Sequence, residues 1–175
     1  MRGTVADMSE RSAAPGGLAL VESLVNTLDL ATGVDALDTA EGRARLGVRE
    51  AELPRARELR ESLRATLLVH AGRPPHRAVT PLGELFARAP LVVAVDDRDG
   101  SARLVPAGTG SLLSRVAAAV AEALVAGTWT RLKACEADTC HWAYYDRSPA
   151  GRRRWCSMQV CGARAKMRRY RAKEG

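Results

Sequence analysis

Apolar residues recur at helical spacing in three segments of the chain. An amphipathic helix is predicted over residues 17–31, a second over residues 52–70, and a third from Ser111 to about Gly127. The apolar positions of each helix share one face, which we expect to lie against a core. The second helix carries a run of Arg and Glu residues on its other face. Such a run is usually solvated, and a binding site is the less favoured alternative.

Shorter elements are predicted between the second and third helices. Residues 72–79 read as a loop, and Thr80 and Pro81 signal a short helix through Ala87. The apolar runs 91–95 and 102–105 flank a turn-rich segment, which is typical of a β-hairpin. This part of the chain is therefore predicted to be a helix-rich α+β domain.

Two polar residues, Asn26 and Thr27, interrupt the apolar segment of the first helix. Buried polar groups need hydrogen-bond partners. A hydrogen bond between the helix and a loop is the simpler explanation. The alternative is that these side chains line a pocket for a small ligand.

The composition of the chain changes sharply after residue 127. Residues 128–175 contain twelve Lys or Arg and four Asp or Glu, whereas the preceding residues are almost neutral, in a chain of net charge +7. All four cysteines and all but one of the aromatic residues also lie in the C-terminal part. These shifts predict a domain boundary, with domains over residues 17–127 and 128–175 after a disordered segment at residues 1–16.

The apolar stretches of the sequence are short. None approaches the roughly 20 residues that cross a bilayer, and the first seventeen residues lack the apolar core of a secretory signal. We therefore expect a cytoplasmic protein, in which disulfides are disfavoured.

The cysteines form two pairs with the same internal spacing, Cys135 with Cys140 and Cys156 with Cys161. A chain reversal that brings the pairs together would create the tetrahedral four-sulfur environment that Zn²⁺ prefers. Four thiolates leave no position for water, so the predicted Zn²⁺ is structural. Two disulfides, an iron–sulfur cluster and four unrelated thiols are less favoured, and His141 is a competing ligand.

The segments around the cysteines predict a small module. Residues 129–134 and 142–146 read as strands that flank the first cysteine pair, and a helix follows the second pair. A hairpin followed by a metal-tethered helix resembles a treble clef. We expect Trp142 and Trp155 to fill its small core, and three residues of the helix to face the module: Ala163, Met167 and Tyr170.

The last helix and the segment before it are strongly basic, which favours binding to nucleic acid. Clustered cations match the spacing of phosphates, and Arg can also contact guanine edges in DNA. An acidic protein is the alternative partner. Nine cations carry the prediction: Arg152, Arg153, Arg154, Arg164, Lys166, Arg168, Arg169, Arg171 and Lys173.

These same residues resemble the CGNR zinc-finger family. The matching motifs are Arg153-Arg154-Trp155-Cys156-Ser157-Met158, then Cys161-Gly162-Ala163-Arg164-Ala165-Lys166, then Arg168-Arg169-Tyr170-Arg171. The resemblance implies that the four cysteines are the zinc ligands. The sequence departs from the family pattern at Ala163, where Asn is usual.

The N-terminal part is similar, more loosely, to the ABATE domain that is commonly joined to this finger, through residues 18–20 and 24–28. The two resemblances together imply a stress-induced bacterial transcriptional regulator. In such a protein the N-terminal domain would sense a small-molecule effector or a partner, and the finger would bind DNA. Two-fold related helices often read specific sites, so a homodimer is a further hypothesis.

The sequence leaves two other functions open. An Arg-rich helix with exposed tyrosines would also serve a structured-RNA or ribosome-associated binding protein. A nuclease is disfavoured because the sequence has three histidines, no H-E-x-x-H motif and no Gly-rich phosphate loop. We therefore expect a binding protein and not an enzyme.

Overall fold

The computed structural model describes residues 13–108 and 110–174, which form α-helices and two antiparallel β-hairpins. The predicted helix-rich α+β fold is confirmed. In the described ranges, no helix is both long and apolar enough to cross a membrane. The helices are α1 Leu18–Val25, α2 Ala40–Leu46, α3 Leu53–His70, α4 Leu82–Phe86, α5 Leu112–Val125 and α6 Ala163–Glu174. The strands are β1 Leu91–Val95, β2 Ala102–Pro106, β3 Leu132–Ala134 and β4 Ala143–Tyr145.

Helix α3 lies at the centre of the fold, where it packs against α1, α4, α5 and β3. Neighbours on several sides leave little of its surface for solvent. The charged residues Arg60, Glu61 and Arg64 are at most 6% exposed. The prediction that the charged face of this helix is solvated is therefore wrong for these three residues, because ionic partners from other elements replace water around them.

Helix α1 is shorter than predicted and ends at Val25 instead of near residue 31. The hydroxyl of Thr27 donates a hydrogen bond to the carbonyl of Leu24 (2.8 Å), and Asn26 directs its amide to another part of the chain. Side chains that bond outside the helical ladder compete with helix continuation. A turn follows, with Gly33 in the left-handed region at φ 74°.

Helix α2 was not predicted from periodicity, because a single leucine, Leu46, is its only buried large apolar residue. Capping residues mark both of its ends. Thr39 accepts a hydrogen bond from the Gly42 amide (3.0 Å), and Gly47 closes the helix at φ 62°. A side chain at Gly42 would collide with the carbonyl of Ala36.

The two hairpins lie in different parts of the fold. The β1–β2 hairpin packs beside α5, whereas the β3–β4 hairpin lies on α3 and α1. The predicted strand at residues 129–134 begins only at Leu132, because Trp129–Arg131 forms a 3₁₀ turn. One continuous core spans both predicted domains, since it includes four residues of the C-terminal part: Trp129, Leu132, Ala134 and Ala143.

Helix α6 extends away from the cysteine-containing part of the chain with most side chains exposed. Met167 is 52% exposed and Tyr170 is 59% exposed, so the expectation that they face the module is wrong. The space beside the cysteines is already filled by Tyr144 and by the partly buried Trp142 and Trp155.

The predicted disordered segment 1–16 lies mostly outside the described residues. In its last part Ala14 is 4% exposed, and its N–H donates a hydrogen bond to the Glu22 carboxylate (2.7 Å). These final residues are therefore packed against α1.

Candidate metal centre and nucleic-acid interface

The sulfur atoms of Cys135, Cys140, Cys156 and Cys161 all lie within 4.8 Å of one another. The Cys140 and Cys156 sulfurs are 3.7 Å apart, and those of Cys156 and Cys161 are 3.9 Å apart. Sulfurs at about 2.3 Å from one tetrahedral ion would be about 3.8 Å apart. The cysteines are free thiols, so the cluster fits a metal ion and not a pair of disulfides. His141 does not belong to this cluster.

The first cysteine pair lies in the connection between β3 and β4. The Cys135 amide donates to the Trp142 carbonyl (2.9 Å), which extends the hairpin by one step. The Cys140 amide donates to the Ala137 carbonyl (2.8 Å), and His141 completes the turn at φ 46°. This tight reversal brings the two thiols of the pair to the same side.

The second cysteine pair lies at the start of the C-terminal helical segment. Cys161 belongs to a π-helical turn, Met158–Gly162, that leads directly into α6. The hydroxyl of Ser157, next to Cys156, accepts a hydrogen bond from the Val160 amide (3.3 Å) and caps this turn. A metal ion bound by the cysteines would therefore attach α6 to the β3–β4 hairpin.

The charge balance of the cluster calls for a cation. The neighbouring thiols raise the pKa of the Cys140 thiol, and burial raises it further. Four thiolates cannot share this volume unless a positive ion offsets their repulsion. When bound, Zn²⁺ supplies that charge and keeps the coordinating thiols deprotonated. The cysteine set fits this ion in number, type and spacing.

Asp146, which is fully buried, holds the segment between the two cysteine pairs. Its carboxylate accepts hydrogen bonds from the Ser148 hydroxyl (2.6 Å), the Arg153 amide (2.9 Å) and the Lys133 ammonium (3.1 Å). Burial alone would raise the pKa of Asp146, but these hydrogen bonds lower it to about 2. Its stabilising contribution is thus present above the ordinary Asp pKa of 3.8 and is lost as the pH falls through about 2.

Two of the predicted nucleic-acid contacts also support the module. Arg154 forms an ion pair with Glu136 (2.7 Å) and lies over the ring of Trp155, 4.8 Å from its centre. The guanidinium of Arg153 lies 5.5 Å from the centre of the Tyr144 ring. Both arginines remain exposed, so their outer edges can still contact an anion.

The six predicted cations of α6 are all exposed, as is Arg152 before it. Spacing of three or four residues arranges the six as two ridges. Met167 and Tyr170 lie between these ridges, so the helix presents an apolar stripe flanked by positive charge. One ridge contains Arg164, Arg168 and Arg171, and the other contains Lys166, Arg169 and Lys173.

Asn26 joins α1 to the β3–β4 hairpin. Its Nδ2 donates to the Ala143 carbonyl (3.0 Å) and its Oδ1 accepts from the Ala143 amide (2.7 Å), so it acts as an extra strand residue beside β4. Thr27 Oγ1 accepts from Arg60 (3.0 Å). Both side chains thus have partners in the chain, although they also line a surface depression of about 480 Å³. Ligand binding there stays a prediction.

Replacing Asn26 with Ala is expected to lower the free energy of unfolding by about 2 kcal/mol, because the Ala143 amide and carbonyl lose their partner. Urea unfolding monitored by circular dichroism measures the change. The exposed Ser23, one turn earlier in α1, provides the control, and Ser23→Ala is expected to be nearly neutral. Equal stabilities of the two variants would contradict the structural role of Asn26.

An ionic network that the sequence pattern did not predict lies between α3 and the first cysteine pair. Arg64 is 0% exposed, and its Nη2 donates to the Val25 carbonyl (2.9 Å). Its Nη1 lies 3.5 Å from the carbonyl of His141, the residue after Cys140. The guanidinium therefore connects the end of α1 with the metal-binding turn.

Glu61 is the anionic partner in this network. Its carboxylate lies 3.3 Å from Arg64 Nε, 2.8 Å from Arg60 Nε and 3.1 Å from His76 Nε2. Burial would raise the pKa of Glu61, but the neighbouring arginines lower it overall. Burial lowers the pKa of His76. The spacing of Glu61 and Arg64 permits an ion pair but does not reveal that the pair is buried.

Comparisons with known families agree with this arrangement. Residues 131–174 match the CGNR zinc finger, and residues 18–127 match the ABATE family, described as "Putative stress-induced transcription regulator". A comparison with curated proteins finds no match. Since the second match covers more than half of the chain, the protein belongs to the ABATE family and carries a CGNR zinc finger at residues 131–174.

Proposed function

We propose that the protein is a zinc-dependent, DNA-binding regulator of transcription whose N-terminal part responds to a small-molecule effector or a partner. The observation that carries this proposal is the attachment of an exposed, cation-rich helix to a closed cluster of four cysteines. The families matched support a regulator. DNA as the target, structural zinc and sensing are our inferences.

Zinc has a structural role in this proposal. The four cysteines provide a complete tetrahedral set, which leaves no coordination position for a substrate or a reactive water. The protein therefore acts by binding and not by catalysis. Cys161 is the residue through which the metal would orient α6, because it lies in the turn that starts this helix.

The dimensions and chemistry of α6 favour DNA. Its 12 residues extend about 18 Å along the helix axis. The major groove of DNA is wide enough to admit an α-helix. Arg168 and its neighbours can contact phosphates or guanine edges, while the exposed Met167 can contact thymine methyl groups. The deep, narrow major groove of duplex RNA excludes such a helix.

Sensing is supported by the direct connection between α1 and the finger. Asn26 at the end of α1 hydrogen bonds to Ala143 in β4, and β4 is next to the turn that contains Cys140. A ligand or partner that displaces α1 would therefore move the hairpin that holds the first cysteine pair. On this basis we expect Asn26→Ala to alter DNA affinity while the protein still binds one zinc ion.

The test is the salt dependence of binding by the zinc-loaded protein to duplexes selected from a random pool. If about six phosphates are neutralised, log K should fall against log salt with a slope near −5. Arg168→Ala should weaken binding and reduce the magnitude of the slope by about one. Arg45→Ala, on the exposed surface of α2, is the matched control and should leave both quantities unchanged.

Two outcomes would overturn the proposal: absence of a DNA complex with zinc-loaded protein, or a complex that is insensitive to salt. Competition between duplex DNA and structured RNA separates the proposal from its alternative. Preferential retention of RNA would favour a ribosome-associated or RNA-binding role, since Tyr170 could then stack on an unpaired base.

A further inference from the structure

Strand β1 has an apolar edge that no other described strand covers. Each of its five residues, Leu91–Val95, is apolar, and Val92, Val93 and Val95 are 47%, 65% and 61% exposed. Among the described residues β1 pairs only with β2. Free edges of this kind are normally blocked by charge, proline or a covering segment, because they pair readily with other strands.

The hydrogen bonds at the two ends of the hairpin determine which backbone groups face outward. The Asp96 amide donates to the Ser101 carbonyl, and the Ala107 amide donates to the Pro90 carbonyl. Even-numbered positions of β1 therefore exchange hydrogen bonds with β2, and odd-numbered positions point away from it. The outward N–H and C=O groups belong to Leu91, Val93 and Val95.

The other edge of the hairpin, along β2, is protected. Pro106 has no N–H to donate, and Arg103 adds an exposed charge to the middle of the strand. Helix α5 also packs mainly against β2. The hairpin thus has one blocked edge and one open edge.

We propose that two copies of this chain associate along β1, antiparallel about a two-fold axis at Val93, and form a four-stranded sheet. Val93 then lies opposite its own counterpart, and Leu91 lies opposite Val95. This register uses the outward backbone groups of both strands and makes about six hydrogen bonds. The contact is isologous, since each copy contributes the same surface.

The distribution of charge favours a second copy as the occupant. Strand β1 contains no charge, and the turn after it contains three acids, Asp96, Asp97 and Asp99, and one base, Arg98, so its net charge is −2. In the antiparallel pair this acidic turn lies near the segment before β1 in the other copy, where Arg88 is exposed and makes no ion pair with a described side chain. The cation-rich surfaces of two α6 helices would instead repel each other.

A five-residue edge is a small contact, so we expect a dissociation constant on the order of 10 µM. Sedimentation velocity measures this dissociation constant. The sample is the zinc-loaded, full-length protein without nucleic acid, at concentrations from about 1 to 100 µM. Val93→Lys places two like charges together at the axis and should weaken association at least about tenfold. Val92→Lys adds the same charge on the opposite face of the strand and should change the dissociation constant less than about threefold.

A monomer at every concentration overturns the proposal, and so does a dimer that Val93→Lys leaves intact. Equal weakening by Val92→Lys and Val93→Lys would overturn the register. Circular dichroism and zinc content check that both variants fold. Because DNA is absent from these measurements, failure of dimerisation is distinguishable from failure of DNA binding.

Amide hydrogen exchange of the unmodified protein provides a test that needs no variant. The amides of Val92 and Ala94 should be protected at all concentrations, because they bond to β2. The amides of Leu91, Val93 and Val95 should gain protection only as the concentration rises. Protection of these three amides in the monomer would show that a segment of the same chain covers the edge, and it would overturn the dimer.

Discussion

Cys156→Ser is expected to abolish zinc binding and unfold the chain that follows β4. Cys156 is 5% exposed, and its sulfur lies 3.7 Å and 3.9 Å from those of Cys140 and Cys161. Structural zinc binding contributes on the order of 10 kcal/mol to the folding of a small module. Elemental analysis measures the zinc, and the amide dispersion of residues 147–174 in nuclear magnetic resonance spectra reports the loss of structure.

The unfolding should remain local. Leu132 of β3 and Ala143 of β4 belong to the main core together with α1 and α3, so this hairpin keeps apolar contacts that do not depend on metal. Amides of α3 should therefore retain their dispersion in Cys156→Ser. DNA binding should be lost, because α6 no longer has a fixed attachment.

His141→Asn is the control for the identity of the ligands. Asn tolerates the left-handed backbone that His141 adopts at φ 46°, so the substitution should not strain the turn. The variant should bind one zinc ion per chain. Loss of zinc from His141→Asn, or retention of one zinc ion by Cys156→Ser, would contradict the four-cysteine site.

The second large effect is expected at the ionic network, where Arg64→Met should lower the free energy of unfolding by about 3 kcal/mol. The substitution keeps much of the side-chain volume but removes a fully buried charge. Glu61 then loses one of its cationic partners, and the Val25 carbonyl loses its donor. Urea unfolding of the zinc-loaded protein at neutral pH measures the difference.

Arg57→Met, on the same helix, provides the matched control. Arg57 pairs with Asp35 and Asp38, but its side chain is 41% exposed, so water can replace these contacts. We expect a change below about 1 kcal/mol. If Arg64→Met were no more destabilising than Arg57→Met, the network would not have the role that its burial indicates.

A double variant distinguishes the ion pair from simple loss of packing. Glu61→Gln removes the anionic charge that Arg64→Met leaves behind, so the two substitutions together should cost less stability than the sum of their separate effects. Additive losses would assign the effect of Arg64→Met to packing alone.

The sequence by itself determined the long elements and the four cysteines that cluster in the fold. Helical periodicity over residues 52–70 and 111–127 places apolar side chains on one face, and burial of that face requires no knowledge of the partner. Cys135, Cys140, Cys156 and Cys161 were identified by spacing, because thiolate coordination depends on a few residues of one type. The excess of positive over negative charge in the C-terminal part was equally visible.

Only the tertiary structure decided the surroundings of the polar residues. The partner of Asn26 is Ala143, and Arg64 lies beside His141, so both contacts join residues far apart in the chain. The outward direction of Met167 also follows from a module that is already filled by other side chains. Local patterns report which residues can be buried, but long-range packing determines which polar groups are enclosed and what replaces their water.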